Sequence, residues 1–369
     1  MERCSTCRSG RARGVTGFEI ELLPIPETLE GDGGADFVAS IDARNAAEIA
    51  AYGTPDVAYP PEELFPFWHD PHEPKVLWGA RIDGRIMARA THEWQLDDQS
   101  VGWVHLQVHP DVEGRGIGRA LAETVEDHAR SLGRKRLITY AVSADTPGER
   151  LVPPTGAGSV PLGNREVRFL LARGWRLEQI ARGSRFPLPF DEADIAARRA
   201  DAERHAGDDY RIHTWAGPTP ERWLADQAML NTRMSTEAPT AGLEEPEDPW
   251  DADRVREYDA LHDAGPRKTL TAVAEHVPTG TLAGFTQLAA PADLTRPVSQ
   301  EDTLVLRAHR GHRLGMLLKV ANLQFLEEVA PGHPCVLTWN AEENRAMLDV
   351  NEAVGFVPIG YEGAWRKDF

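Results

Sequence analysis

The sequence predicts an α/β protein made of two tandem copies of one fold, each a mixed, mostly antiparallel sheet flanked by helices. Two observations carry this. A β-like segment runs through a Gly/Arg-rich turn into an apolar-periodic helix twice, as VHPDVEGRGIGRAL at 108–121 and as LRAHRGHRLGMLLK at 306–319. Around each turn the same order of elements, β-α-α-β-β-β-α-β-α-β, is legible, the mark of an internal structural repeat. A third observation sets the scale. The chain has 369 residues, 41% of them apolar, enough for two domains with cores of their own.

In the first half, alternation predicts a strand at 17–26 and helical periodicity a helix at 35–53, with Gly53 as its C-cap. A short helix at 60–70 precedes a hairpin at 75–94 that turns on Asp83–Gly84. A strand at 103–108 leads into the turn, and the next helix places Leu121, Val125, Ala129 and Leu132 on one face. A buried strand (136–142), a Pro/Gly-rich loop (147–163), a helix (165–173) and a final strand complete the half. Residues 190–208 read as a charged helical linker between domains at 17–189 and 209–369. In the second half the order returns. Helices are expected near 220–234 and 249–265, a hairpin around 278–280, and a strand at 302–306. The helix after the turn groups Leu314, Leu318, Ala321 and Phe325, and strand, helix and strand follow to the C-terminus.

Composition narrows the classes of function. The net charge of −18 disfavours nucleic acid, because phosphate binding needs clustered Lys and Arg, and it suits a cationic substrate such as an amine. No apolar run is long enough to span a membrane. Cys4 and Cys7 form a single Cys-x-x-Cys pair in a basic extension, without the four ligands of a structural zinc, and Cys335 lies in an apolar run. Three cysteines make no disulfide framework, so a cytoplasmic protein without a metal is expected, a monomer or homodimer.

A glycine turn between strand and helix suits phosphate, because backbone N–H groups approach the ligand closely and the helix N-terminus adds partial positive charge. The Lys of a GxxxxGK[ST] loop is absent, and so is a GxGxxG at the first strand. With Glu113, Gly116 and Gly118 in the first copy and Arg310, Arg313 and Gly315 in the second, the turns resemble the Gln/Arg-x-x-Gly-x-Gly/Ala signature of the GNAT acetyltransferase superfamily. The superfamily's later pattern is Asn, a small or apolar residue, Tyr, then Gly-Phe. It is met at Asn344, Met347 and Gly355–Phe356, with Asn351 at the tyrosine position. The first half keeps Gly174–Trp175, with Leu170 at that position. The resemblance spans nearly the whole chain, and the two-lobed plan is similar to mycothiol synthase and related actinobacterial acetyltransferases.

The resemblance implies an acyl-CoA-dependent N-acyltransferase, moving an acetyl group from acetyl-CoA to a small amine. A non-catalytic acyl-CoA sensor and a mycothiol-synthase-like acetyltransferase are the alternatives. It implies that the backbone of Leu304, Val305 and Leu306 pairs with pantetheine, and that amides of Gly311, His312, Arg313, Leu314 and Gly315 hold the diphosphate beside Arg310 and Arg313. Asn340 and Asn344 would bond pantetheine, and Trp339 would line the acceptor pocket. Glu113 would repel phosphate in the first copy. Val108, Gly114, Arg115, Gly116, Ile117 and Gly118 are therefore expected to form a weaker second site, and the N-terminal domain is expected to be degenerate. Two acids at the fourth strand, Glu301 and Asp302, are the candidate bases. Glu301 shares a face with Thr303 and Val305 in a regular strand, and a β-bulge would exchange the two. Asn351 cannot protonate a leaving thiolate, which leaves Tyr361 or water for that role.

Overall fold

The computed structural model describes residues 17–369; the Cys4–Cys7 pair lies outside the described residues. The first half contains β1 (Glu19–Leu23), α1 (Gly34–Tyr52), α2 (Pro61–Leu64), β2 (Lys75–Ile82), β3 (Arg85–Glu93) and β4 (Val101–Val108). Next come α3 (Ile117–Ser131), β5 (Arg136–Ser143), a small ribbon of β6 (Arg150–Leu151) and β7 (Val160–Pro161), α4 (Arg165–Ala172) and β8 (Arg176–Pro187). After α5 (Glu192–Ala206), the second half runs β9 (Tyr210–Ala216), α6 (Leu224–Glu237), α7 (Ala252–Asp263), β10 (Arg267–His276), β11 (Thr281–Pro291) and β12 (Val298–Val305). It ends with α8 (Leu314–Val329), β13 (Cys335–Ala341), α9 (Arg345–Val354) and β14 (Val357–Asp368).

Local chemistry sets most boundaries. Gly53 adopts a left-handed conformation and its N–H bonds Ile49 O at 2.8 Å, ending α1. Asp83 and Gly84 both take positive φ, 48° and 82°, as a two-residue hairpin turn requires. Leu121, Val125 and Ala129 of α3 are buried, but Leu132 is 42% exposed, because the helix stops at Ser131 and Leu132 turns away from the core as its cap. The Pro/Gly-rich loop at 147–163 holds the β6–β7 ribbon, and β12 begins four residues before the strand read from the sequence. The charged α5 is capped by the Asp191 side chain. It packs Ile195, Ala202 and Ala206 into the second core against α8, so it is an integral helix as well as a connector.

The two sheets fuse into one of twelve strands, in the order β1-β2-β3-β4-β5-β14-β8-β13-β12-β11-β10-β9. The sixth long strand of each half is exchanged: β14 lies on β5, β8 lies on β13, and the two exchanged strands pair with each other. Loops are exchanged as well. Leu243, after α6, packs against Val101 and Ile138 of the first lobe, while Glu63 of the first lobe pairs with Arg267 (3.5 Å) and with Arg296 of the second. Each lobe is thus partly covered by segments of the other.

Candidate functional site

In each lobe the fourth and fifth strands are parallel and then diverge. β4 meets β5 only from Val101–Trp103 to Arg136–Ile138, and β12 meets β13 only at Val298–Ser299 and Val336–Leu337. The two gaps are treated differently. In the first lobe a cavity of about 700 Å³ opens between the ends of β4 and β5, the start of α3, and α4. Its lining runs from Gly114, Gly116, Ile117, Gly118 and Arg119 at the turn, past Leu106–Val108 and Thr139–Val142, to Ala47 and Glu48 of α1. Leu170, at the tyrosine position, forms part of the wall.

In the second lobe α9 leans onto α8. A Cβ on Gly315 would stand 3.9 Å from Val350 of α9, whereas one on Gly118 would meet only Leu106 and Val108 of β4, at 3.7 Å. Lys319 occupies the place of Ala122. It is 2% exposed, and its ammonium lies 5.6 Å from the ring centroid of Phe356. Burial alone pushes its pKa down to about 7. Asn351, also buried, donates to Asn340 Oδ1 at 2.7 Å, and the Asn344 side chain caps α9 on the Met347 N–H. The residues expected to contact pantetheine are thus engaged within the fold.

Charge at the turns is likewise opposite to the sequence expectation. Glu113 is bound by Arg165 of α4, while Arg115 and Arg119 are exposed and have no carboxylate partner among the described residues. The first intrahelical bond of α3 runs from Ala120 N–H to Gly116 O at 3.1 Å, with no side-chain cap, so the preceding amides face the turn. Around Gly114 and Gly116, at φ 75° and 85°, the space is open. In the second lobe Arg313 takes a left-handed φ of 55° and pairs with Asp201, and Arg310 reaches Glu237 at 2.7 Å and Val305 O at 3.1 Å. His312 stacks near Tyr210, the Leu306 N–H is held by Ala283 O at 2.9 Å, and Leu304 and Leu314 are buried.

Glu301 and Asp302 sit at a register jump between β11 and β12, opposite Gln287, and this bulge leaves both exposed. Arg267 stands 3.7 Å from Glu301. The surrounding protein and the Glu301 charge push the Asp302 pKa up to about 6, although its surface stays open to water.

The edge of the first lobe beyond β5 is built by strand exchange. Glu362 of β14 pairs across the strands with Val142 of β5. Tyr52 OH donates to its carboxylate and accepts from Trp339 Nε1 at 2.6 Å. Gln107 Nε2 donates to Glu48 at 3.3 Å, and Tyr140 OH to Glu245 at 3.3 Å. Desolvation first, with the nearby Glu48 charge adding to it, lifts the Glu362 pKa to about 7. Tyr361 points to the other side of β14, packed against the first core. Glu48, Tyr52 and Glu362 were not singled out from the sequence. They converge from α1 and β14, and only the acidity of the two glutamates, within the overall −18, hinted at them.

Residues 42–151 match the sequence model of the acetyltransferase (GNAT) family. No curated protein sequence matches the chain at a significant level. Among solved structures, a tandem GNAT protein from the clavulanic acid biosynthesis pathway is 24% identical over 95% of this chain and 98% of its own, with a TM-score of 0.72. A GCN5-related N-acetyltransferase from Sphaerobacter thermophilus is 14% identical, with 95% of both chains covered and a TM-score of 0.61. The N-myristoyltransferase of Saccharomyces cerevisiae, solved with bound myristoyl-CoA, is 11% identical over 98% of this chain and 82% of that one, at 0.56. Fold and family match together place the chain among proteins of the GNAT fold. More particularly, the chain has the two-lobed GNAT fold, and its first lobe carries a segment that matches the GNAT acetyltransferase family. Among the described residues no helix is long and apolar enough to cross a membrane, and no group of His, Cys, Asp or Glu side chains is arranged to hold a metal ion.

Proposed function

We propose that the first lobe binds acetyl-CoA and transfers its acetyl group to a small amine, and that the second lobe completes the acceptor side without a donor site of its own. The observation that carries this reading is the cavity between α3 and α4, with the glycine turn at one end and Glu48 and Tyr140 at the other. The diphosphate takes amides of residues 114–119, with Arg115 and Arg119 beside it. The thioester lies near Gln107, where the strands part. Glu362 accepts a proton from the ammonium of the acceptor, the freed amine nitrogen attacks the thioester carbon, and the C–S bond breaks as the amide forms, the second proton of the nitrogen passing to water. Tyr140 lines the cavity, but its pKa is raised well above 10 by desolvation and by Glu245, so it holds its proton more tightly than a thiol does. The thiolate therefore leaves as such, or takes its proton from water.

Calorimetric titration with acetyl-CoA, beside thiol release over a panel of amines, tests the reading. One binding site and turnover on an amine are expected. Two equal sites, or binding that is lost on altering residues 310–315 alone, would move the donor site to the second lobe. Binding without turnover on any amine would leave a sensor.

A further inference from the structure

Three arginines of the described chain are almost fully buried. Arg254 pairs with Asp248 at 2.6 Å; Arg134 has no ion-pair carboxylate and a buried Nε without a partner, but its Nη1 donates to the carbonyls of Asp98 and Val101. The third, Arg89 of β3, is 7% exposed. Its Nε donates to the neutral Gln107 Oε1 at 2.9 Å, its Nη1 is enclosed without any partner, and no carboxylate of the described residues lies within ion-pair distance. A buried guanidinium without a counter-anion is costly, and removing such a charge from water is recovered only through close, well-directed partners. A second cation stands nearby. Arg44 of α1 donates to Val57 O (2.8 Å) and Asn45 Oδ1 (3.0 Å), and it too has no carboxylate partner among the described residues. Together the desolvation and the Arg44 charge push the Arg89 pKa down to about 9. None of the acids near them forms an ion pair with either arginine: Glu93 holds Lys75 (3.3 Å) and His105 (3.0 Å), Glu48 accepts from Gln107, and Glu362, which feels the Arg44 charge, accepts from Tyr52.

The place of this pair matters as much as its charge. Arg89 and Gln107 are direct cross-strand partners, on the sheet face that α1 covers. Gln107 and Glu48 line the cavity, and Glu48 lies one turn along α1 from Arg44. Arg89 does not itself line the cavity, but the Gln107 side chain, which does, stands directly on it, with Oε1 accepting from the Arg89 Nε at 2.9 Å.

We infer that Arg89, with Arg44, binds a carboxylate of the acceptor, and that the acceptor is an amine carrying a carboxylate close to its nitrogen, the amino-acid class. The inference rests on the first lobe being the site of transfer. It also divides the charges of the pocket: the acids around Glu362 receive the ammonium, and the arginines receive the anion.

The test is kinetic and needs no variant to begin. L-lysine, L-arginine, L-ornithine and L-leucine are compared with cadaverine, agmatine, putrescine and isoamylamine, the same molecules without the carboxylate, and acetyl-CoA binding is measured in parallel. At least one amino acid should exceed its decarboxylated partner in kcat/KM by about 10–100-fold, the worth of a charge-assisted bond to a buried group. Arg89→Met should bring that amino acid down to the level of the amine with acetyl-CoA affinity unchanged, and Arg89→Lys should recover part of the preference. If Arg89→Met does not fold, the wild-type ratio still decides. Amines acetylated as well as or better than every amino acid would overturn the inference. So would absence of turnover on all eight while acetyl-CoA binds, which leaves the donor site standing. Absence of acetyl-CoA binding would overturn the site reading along with this one.

Discussion

The two lobes carry the same turn on the same scaffold and differ in what stands behind it. The first turn holds an acid in the place of an arginine, yet that acid is bound by Arg165, and the gap beyond it is open. The second turn is rich in arginine, yet Arg310 and Arg313 are held by Glu237 and Asp201, and behind it Lys319 and Asn351 are buried where α9 leans onto α8. An anion site is therefore not measured by the formal charge of its loop. It depends on which donors are left over once the fold has been satisfied, and on whether the space they face is empty.

The sharpest break between the lobes should appear in catalysis. Glu362→Gln keeps the shape of the side chain and removes its titration, and kcat/KM should fall by roughly 10²–10⁴-fold with acetyl-CoA affinity little changed. Glu301→Gln and Asp302→Asn, the acids of the second lobe, should leave kcat/KM within about twofold on the same reasoning. The wild-type pH profile carries the same information. A base works ionised, and a carboxylate is ionised above its pKa, so activity should decline as pH falls through about 7, the value to which burial lifts Glu362. That limb should be missing in Glu362→Gln. An unchanged rate in this variant would shift the base to Glu48 or to solvent.

Donor binding gives the next largest difference. Gly116→Asp sets a side chain at φ 85° and places a carboxylate at the mouth of the cavity. Backbone strain of about 1–3 kcal/mol and loss of charge-assisted bonds together predict at least about 30-fold weaker acetyl-CoA binding by calorimetry. Affinity within a factor of about two of wild type would place the diphosphate elsewhere.

Much of this comparison could be read in advance, and the limits have physical causes. The repeated order of elements, the hairpin at Asp83–Gly84 and the ends of α1 follow from local periodicity and glycine punctuation, and they are where the sequence led. The exchange of β8 and β14 was not legible, since a sixth strand shows the same alternation whichever fifth strand it joins. Nor were the ion pairs that reverse the charge argument. Glu113 meets Arg165 from 52 positions away and Arg313 meets Asp201 from 112, distances over which sequence patterns carry no signal. The bulge at Glu301 and Asp302 was foreseen as one of two alternatives, and it exposes both acids where an exchange of faces was expected.

Stability separates the lobes more modestly. Lys319 is buried and its folded pKa, about 7, lies below that of an unfolded lysine, about 10.4. Below pH 7 the group is protonated in both states, and its full penalty is present. As pH rises from 7 toward 10.4 the unfolded chain loses its advantage in bound protons, and the penalty disappears. Lys319→Met should raise stability by about 1–3 kcal/mol at pH 7, since relaxation and water penetration return part of a buried ion's nominal cost, and the gain should vanish near pH 10. Thermal melts at both pH values measure it. The reverse change in the first lobe, Ala122→Lys, should lower stability at pH 7 by a comparable amount.

The smallest effect is the most telling about the turns. Sequence reasoning alone expects Arg310→Glu to weaken acetyl-CoA binding at least about tenfold, by loss of charge-assisted phosphate bonds. The structure argues for almost nothing. Both Arg310 and Arg313 are about half exposed, and each already has an acidic partner, Glu237 and Asp201. The Arg313 pair is exposed at both ends and the Arg310 pair at its arginine end, Glu237 being largely buried; exposed pairs contribute about 0–1 kcal/mol and less at high salt. Reversal of either charge sets it against its former partner, so the cost should stay below about 1 kcal/mol for each single variant and shrink as salt is added. Acetyl-CoA affinity should remain within about twofold of wild type in Arg310→Glu and in Arg313→Glu, because neither side chain faces the open cavity. A tenfold loss in either, with Gly116→Asp silent, would show that α9 swings away from α8 to admit the donor. The second lobe would then be the working copy, and the first the one that completes it.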